Sequence, residues 1–595
     1  MRLHLLCYCL FSLILVRCTF SAEETTTNEL RPNVLLILTD DQGWGDLGVH
    51  GNPIIQTPVL DEFAQNGVQV KNFYVNPLCA PTRASLLTGR YNLRTGTRWV
   101  SDGLENMSPE EVTLAEMFKS AGYTTGCFGK WHNGAHFPFH PNQQGFDEFI
   151  GFCAGHWNNY FNTTLQHNGE PFPTEGYITD VLTDEAINFI EDSGGEPFFC
   201  YVPYNVPHGP YQVPDQYFDK YYDQLDTLDN EAKRNKLAAV YGMCENMDNN
   251  VGRLISALES HGVRDNTIVI FLTDNGPNGN RYNGGMRGIK GSTHEGGTRV
   301  PFFMQWPVGL PSASTVDGLA AHIDVLPTLA SLCEIPLPDR ELDGMNLAST
   351  LLKANATIPD RTLFFQQSGR ELLPERGAVR TNTYRLVNYP DYTGLYNLLS
   401  DPDESDDLSQ EFPQMFDSLR AVYNEWFEQM KMAAVDMTTI PVGFTEQNRA
   451  VLPAHESYFS GNVTFKEGHG WAHDWLVNWS SPEDQIHWDI EVQSPVTYQV
   501  FLSYTVPEPQ AGSVIQLRVG DNTLLDTLSA AFDPEYIPSP DRIPRIEVYE
   551  KEWAKTLIGR IKLDSGSQTI TLSAKRIAEN QVAEVQGLIL RKIND

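Results

Sequence analysis

Pro32-Asn33-Val34-Leu35-Leu36-Ile37-Leu38-Thr39-Asp40-Asp41 decides the fold class. Val34 to Leu38 are apolar without interruption. A strand with one wet face would alternate, so this run belongs to a strand covered on both faces, as in a parallel sheet flanked by helices. Phe198 to Val202 and Thr267 to Leu272 read the same way, and Thr124 to Phe128 adds a shorter strand. Helical patterns lie between them. Ser108-Pro109-Glu110-Glu111 offers a capping serine, a first-turn proline and two acids for the positive end of the helix dipole. A helix is therefore expected to open there, with Leu114, Met117 and Phe118 as its apolar stripe and Gly122 as its stop. Glu231 to His261 carries apolar residues at three- and four-residue intervals and reads as a long helix. Alternating strands and helices predict the α/β class, with a large, mostly parallel sheet sandwiched by helices.

The character changes after residue 380. Tyr384 to Tyr389 and Gly394 to Leu398 read as paired strands. The acidic turn Asp401-Pro402-Asp403-Glu404 follows, then a helix through Phe416 to Met432, which together make a small α+β subdomain. Gln485 to Val492, Val496 to Tyr504, Ser513 to Val519 and Thr569 to Ser573 alternate between turn-rich loops, the pattern of an all-β sandwich. The expected boundaries are a signal peptide at 1–22, the α/β domain at 23–380, the α+β subdomain at 381–436, a linker at 437–455 and the β-sandwich at 456–595. The signal reading rests on Arg2 and His4 ahead of the apolar run Leu5 to Val16, then Thr19, Phe20, Ser21 and Ala22. The run is short for a membrane span. It implies a secreted or periplasmic protein with no stable membrane insertion after cleavage. Six cysteines then remain: Cys79, Cys127, Cys153, Cys200, Cys244 and Cys333. Their wide spacing fits neither a zinc pattern nor a compact disulfide framework, although an exported chain could pair some of them.

Over 595 residues, 42 Lys and Arg face 76 Asp and Glu, a net charge of −34. Hydrophobic residues at 41% and charged residues at 20% exclude a disordered chain and a multi-span membrane protein. So acidic a chain lacks the broad basic face that nucleic acid requires. An anionic substrate would need a local basic island.

Ligands of parallel α/β sheets bind beyond the carboxyl ends of the strands. Three strands end in reactive groups: Asp40-Asp41, Val206-Pro207-His208-Gly209-Pro210, and Thr273-Asp274-Asn275-Gly276. Each alone is ordinary turn chemistry. Together, three carboxylates and an amide oxygen make a hard oxygen cage suited to calcium or magnesium rather than zinc or copper.

Leu78-Cys79-Ala80-Pro81-Thr82-Arg83-Ala84-Ser85-Leu86-Leu87-Thr88-Gly89-Arg90 carries the chemistry. This stretch resembles the sulfatase family of the type whose cysteine is converted to formylglycine, with Thr82 as the less usual residue in its place. The resemblance extends through Gly129-Lys130-Trp131-His132, Pro207-His208-Gly209-Pro210, Asp274-Asn275-Gly276, Lys290-Gly291 and Glu295-Gly296-Gly297-Thr298-Arg299. These motifs stand in family order over roughly residues 31 to 435. The resemblance implies an alkaline-phosphatase-like α/β fold, a formylglycine-generating maturation enzyme as partner, and one divalent ion, calcium first and magnesium second. Asp40, Asp41, Asp274, Asn275 and the modified Cys79 would hold the ion. Arg83 would steady the modified side chain. Lys130 and His132, expected to alternate on an extended segment, would contact the hydrated aldehyde and the substrate, with His132 taking a proton in the elimination step. His208 and Lys290 would bind sulfate, and His208 would protonate the leaving oxygen. One hydroxyl of the hydrate attacks sulfur; loss of the proton from the other ejects sulfate and restores the aldehyde.

Aromatic and amide-rich loops are expected to frame the pocket, with Arg98, His136, His140 and Trp157 as substrate contacts. An exported multidomain chain favours a sulfated polysaccharide or oligosaccharide as substrate. The alternatives are a formylglycine-dependent phosphonate or phosphate ester hydrolase, which would favour further metal ligands, and a catalytically inactive glycan-binding homologue.

Overall fold

The computed structural model describes residues 31–593. The segment read as a signal peptide, 1–22, lies outside them. The apolar run forms the strand Asn33–Thr39, buried at all seven positions. It lies between two parallel neighbours, Phe198–Pro203 and Thr267–Thr273, with Leu38 opposite Pro203 and Thr39 opposite Thr273. Thr124–Lys130 continues the parallel set beyond Phe198–Pro203, followed by Glu148–Phe152. These five parallel strands are the centre of an eleven-stranded sheet. Antiparallel strands flank them, Phe302–Gln305 on one side and the hairpin Thr164–His167 with Glu170–Pro173 on the other. The central strand feeds two cores, Val34, Leu36 and Leu38 one, and Leu35 and Ile37 the other. Neither face meets water, which is why the run tolerates no polar residue.

The helix expected from Ser108 begins later, at Leu114–Ser120. Thr113 is its cap: the Thr113 hydroxyl accepts from the Glu116 N–H at 3.1 Å while the Glu116 carboxylate accepts from the Thr113 N–H at 2.8 Å. This reciprocal box satisfies two end donors, whereas Ser108 only closes a local turn, so the stronger cap sets the start. The expected stripe Leu114, Met117 and Phe118 is buried. Gly122 follows in the left-handed region at φ 85°. The long helix is Glu231–Ser260.

The α+β subdomain is a four-stranded antiparallel sheet, Leu363–Gln366, Gly377–Arg380, Tyr384–Tyr389 and Tyr392–Asn397, covered by the helix Pro413–Ala433. Its first two strands lie upstream of the expected start at 381, and Leu363–Gln366 finds its partner only in the later Gly377–Arg380. The C-terminal region is two six-stranded sheets around one shared core. Its pairings are almost wholly antiparallel. The stretch expected as a linker at 437–455 is part of it. Ile440–Val442 pairs with Gln485–Val492, and Arg449–Pro453 pairs with Glu584–Lys592.

Residues 528–553, between two strands of the sandwich, hook back onto the α/β domain. Arg545 Nη1 donates to the Asn158 carbonyl at 2.7 Å, Asn159 Nδ2 to Glu550 at 2.7 Å and Gln212 Nε2 to Asp541 at 2.8 Å. The six cysteines from Cys79 to Cys333 are all buried free thiols, so none of the pairing open to an exported chain is present. Among the described residues no helix is long and apolar enough to cross a membrane.

Candidate active site

The strand register delivers the cluster expected from the sequence. Asp40 and Asp41 leave the central strand, and Asp274 and Asn275 leave its neighbour at the same level. Asp41 turns through the left-handed region at φ 66°, which swings its side chain against Asn275, whose Nδ2 donates to Asp41 Oδ1 at 2.9 Å. The Asp41 N–H donates to Asp274 Oδ1 at 3.2 Å. All four side chains are buried.

Cys79 is the first residue of the helix Cys79–Thr88, so residue 79 meets the positive end of the helix dipole. One ligand atom each from Asp40, Cys79 and Asp274 lies within 4.8 Å of the others, and so does one each from Asp40, Asp41 and His208. Arg83, one turn further along the helix and fully buried, donates from Nη2 to Asp274 Oδ2 at 2.8 Å and from Nη1 to the Lys130 carbonyl at 2.7 Å. It thereby ties three elements together.

Lys130 ends its strand with Nζ 2.6 Å from Asp40 Oδ2. Lys290 Nζ sits 2.7 Å from Asp41 Oδ1, and His208 Nε2 lies 3.7 Å from Asp41 Oδ2. Three carboxylates thus meet three basic side chains, Arg83, Lys130 and Lys290. The cluster is close to neutral by itself within an acidic chain, and a divalent ion held by its oxygens would make it the basic island that an anion needs. His132 departs from expectation. At φ 63° it lies in a left-handed turn rather than on an extended segment, and its Nε2 is 3.0 Å from the Val100 carbonyl. Its Nδ1 is buried without a partner.

Burial would raise the Asp41 pKa, but Lys290, His208 and the Asn275 amide override it and hold the carboxyl below the ordinary range. Burial and the neighbouring Asp40 charge push Asp274 up to about 7 against the pull of Arg83 and Lys130. Burial raises the Cys79 thiol, with Lys130 and Lys290 opposing only in part, so an unmodified thiol here stays protonated and is a poor nucleophile. Burial and Lys290 lower His208 to about 4. Burial and Lys130 hold His132 far below the usual histidine range.

Two acceptors inside the cluster, Asp40 Oδ1 and Asn275 Oδ1, are buried with no hydrogen-bond partner. Unpartnered buried oxygens are costly, and a hard cation satisfies them. The donor set therefore fits a divalent ion held by carboxylate and amide oxygens.

The four expected substrate contacts each bond to a residue outside the cluster. His136 pairs with Glu456 at 2.8 Å, across the junction with the sandwich. His140 faces Gln166 at 3.3 Å and stands edge-on to Phe149. Arg98 pairs with Asp436 at 3.4 Å. Trp157 donates to Thr163 Oγ1 at 2.7 Å and stacks on Phe152. Loop composition marks residues that can contact a sugar, but their partners come from distant segments that no local pattern reveals. Sequence reasoning also missed Asn278, whose Nδ2 donates to Asp41 Oδ2 at 2.9 Å, and Arg281, whose Nη2 donates to the Asp41 carbonyl at 2.8 Å. Their place on the loop just after Asp274-Asn275 was the available signal.

Comparison with known proteins agrees with this geometry. The family profile described as Sulfatase matches residues 32–335, and one described as N-sulphoglucosamine sulphohydrolase, C-terminal, matches residues 290–432. N-acetylgalactosamine-6-sulfatase of Mus musculus is 33% identical over 395 residues, covering 60% of this chain and 73% of that protein. Arylsulfatase A of Homo sapiens is 33% identical over 408 residues, covering 62% and 77%. The solved structure of Ps i-CgsB in complex with k-i-k-neocarrahexaose has a TM-score of 0.62 at 28% identity, covering 68% of this chain and 95% of that one. With the motifs in order, the acids and cations assembled at one sheet edge and a family match across most of the α/β domain, the chain belongs to the sulfatase family, the sulfuric ester hydrolases.

Proposed function

We propose that the protein removes sulfate from a sulfated carbohydrate outside the cytoplasm, after export by its N-terminal segment and conversion of Cys79 to formylglycine by a maturation enzyme. The observation that carries this reading is the convergence of Cys79 with Asp40 and Asp274 at the first turn of a helix, between Lys130 and Lys290. Asp40, Asp41, Asp274 and Asn275 would hold one divalent ion, calcium first, with residue 79 beside them. Bound there, the ion supplies Lewis-acid charge for a sulfate oxygen and lowers the pKa of a hydroxyl on residue 79. Hydrated formylglycine supplies the nucleophilic hydroxyl and a second one whose deprotonation releases sulfate.

The side chains of this chain do the rest. Arg83 fixes Asp274 and the end of the Lys130 strand, so the distance from residue 79 to the acids is set by a buried ion pair in which Nε and Nη2 both donate to Asp274 Oδ2. Lys130 and Lys290 neutralise the anionic ester. His208 Nδ1 is 2.7 Å from the Gly209 carbonyl, which must accept, so Nδ1 carries the proton and Nε2 is the free nitrogen turned to the acids. Protonating the leaving oxygen then requires Nε2 to gain a proton as the anionic ester enters. His132, kept neutral, has its unpartnered Nδ1 ready to accept a proton.

A relative named for a sulfated sugar supports a sugar substrate, and arylsulfatase A, matched at the same 33% identity, makes an aryl sulfate the comparison that decides it. The test is sulfate release by protein produced with the maturation enzyme. N-acetylgalactosamine 6-sulfate, carrageenan oligosaccharides, an aryl sulfate and an aryl phosphate would be compared. Residue 79 should carry the aldehyde in its tryptic peptide, and a sulfated sugar should be the best substrate. Preference for the phosphate, or an unmodified and fully active thiol, would sink the reading.

A further inference from the structure

His156 extends the site beyond His208. Its ring lies parallel to that of His208, centroids 6.4 Å apart at an interplanar angle of 6°. His156 is only 6% exposed, and its Nε2 has no hydrogen-bond partner. The residues facing it come from the sandwich. His473 stands edge-on to His156 at 5.6 Å and to Trp157 at 4.7 Å, and Trp471 stands edge-on to His156 at 6.4 Å.

The segment that bears these two residues is built rather than loose. The Asp474 carboxylate, itself buried, accepts from the backbone N–H groups of Glu467 at 3.3 Å, Gly470 at 3.2 Å and Trp475 at 2.9 Å. His473 occupies the left-handed region at φ 70°, an unusual place for a side-chain-bearing residue and one that clusters at ligand sites. Its Nε2 is buried without a hydrogen-bond partner as well. Two unpartnered imidazole nitrogens and an indole thus gather around the His156 ring that stacks on His208. Burial and neighbouring histidines hold both imidazoles below the usual histidine range. Neutral nitrogens and an aromatic face suit the hydroxyls and C–H face of a sugar better than a second anionic group. The two matched family segments end at residue 432, so this wall is not part of the family match.

We propose that residues 467–475 of the sandwich form one wall of the active site, and that Trp471 and His473, with His156, bind the sugar ring bearing the scissile sulfate. The proposal rests on the sulfatase reading above and deepens it, because it makes the C-terminal region a determinant of substrate choice.

Full-length protein matured to the aldehyde would be assayed with a 6-sulfated chondroitin tetrasaccharide, an iota-carrageenan hexasaccharide and 4-nitrocatechol sulfate. Trp471→Ala and His473→Asn are the variants, asparagine being tolerant of the left-handed backbone. Each should lower the ratio of kcat/KM for the oligosaccharide to that for the aryl sulfate by about tenfold. Leu525→Ala, on the exposed outer face of the sandwich, should leave the ratio as it is. Calorimetry with the Cys79→Ser chain measures binding of the same oligosaccharides without turnover, and Trp471→Ala should weaken it by about tenfold. A ratio and an affinity that both stay unchanged overturn the subsite while leaving the sulfatase reading intact. Absence of sulfate release together with oligosaccharide binding that depends on Trp471 would do the reverse. If neither oligosaccharide binds, the subsite is overturned. Should Trp471→Ala fail to fold, as judged by its unfolding midpoint, His473→Asn carries the same two readouts.

Discussion

At the scale of single residues, the site is a problem of charge placed out of water. Asp41 is fully buried, and its ionised form survives because Lys290 is 2.7 Å away. Removing one partner of a buried pair leaves the other uncompensated. Lys290→Ala should therefore act twice. It should cut kcat/KM for an aryl sulfate by about a hundredfold or more, through loss of transition-state charge stabilisation. It should also destabilise the metal-free fold by about 3 kcal/mol, as the other half of the pair is stranded. Steady-state kinetics and denaturant unfolding read the two effects separately. Unchanged kinetics would remove Lys290 from the anion site. The unpartnered oxygens of Asp40 and Asn275 give a companion expectation. Chelation should abolish turnover and lower the unfolding midpoint, and calcium added back at a hundredfold its Kd should restore about 2.7 kcal/mol. A midpoint indifferent to both would mean that these oxygens hold no ion.

At the scale of elements, the geometry depends on how closely two turns approach. A Cβ at Gly276 would run into the backbone of Gly296 and Gly297, so the turn bearing Asp274 and Asn275 can press against the Glu295–Thr298 turn only with glycine there. Gly276→Ala should push the metal-ligand turn off its neighbour and weaken calcium binding about tenfold or more, measured by titration calorimetry. Unchanged affinity would show that the turn has room to give. That Gly276 sits in a turn is legible from Asp274-Asn275-Gly276; that it abuts another turn is not. The same division runs through the fold. The strand Asn33–Thr39 is readable because burial on both faces leaves a local mark, five apolar residues in a row. The start at Thr113 was missed because two plausible caps lie close together, and only the reciprocal bond with Glu116 separates them. Ile440–Val442 and Arg449–Pro453 were missed because short strands carry little pattern and their partners are far downstream. At the site, the acids and cations were legible from motif order. The turn at His132 and the partners of Arg98, His136 and His140 were not, since each depends on a residue that tertiary packing supplies.

At the scale of the whole molecule, the sandwich is docked through ionisable groups, and its hold should vary with pH. Burial would lower the His136 pKa, but Glu456 overrides this and raises it. A raised histidine stabilises the fold fully below its ordinary pKa, and that contribution is lost as pH rises through the raised value. Burial would raise Glu456, but His136 overrides this and lowers it, so its contribution is lost only as pH falls through the depressed value. Glu105 lies beside this pair with a buried, unpartnered Oε2, and burial followed by the Glu456 charge pushes its pKa up to about 8. Between the ordinary glutamate range and about pH 8 the folded state must hold a proton on Glu105 that the unfolded chain has released, so stability declines across that interval too. His136 and Glu105 thus act in the same direction on the alkaline side, while Glu456 opposes only under acid conditions. The unfolding midpoint should fall from pH 6 to pH 9, and proteolysis within 437–455 should quicken as the junction loosens. Glu105→Gln cannot ionise, so it should flatten the decline and raise the midpoint at pH 8 by about 2–4 °C if the relief is near 1 kcal/mol. Because the same domain carries Trp471 and His473 to the active site, turnover of a sulfated oligosaccharide should fall with the midpoint over this range and recover in Glu105→Gln. A midpoint that rises between pH 6 and pH 9, or a Glu105→Gln curve that follows the wild type, would mean that neither Glu105 nor the His136–Glu456 pair governs the junction.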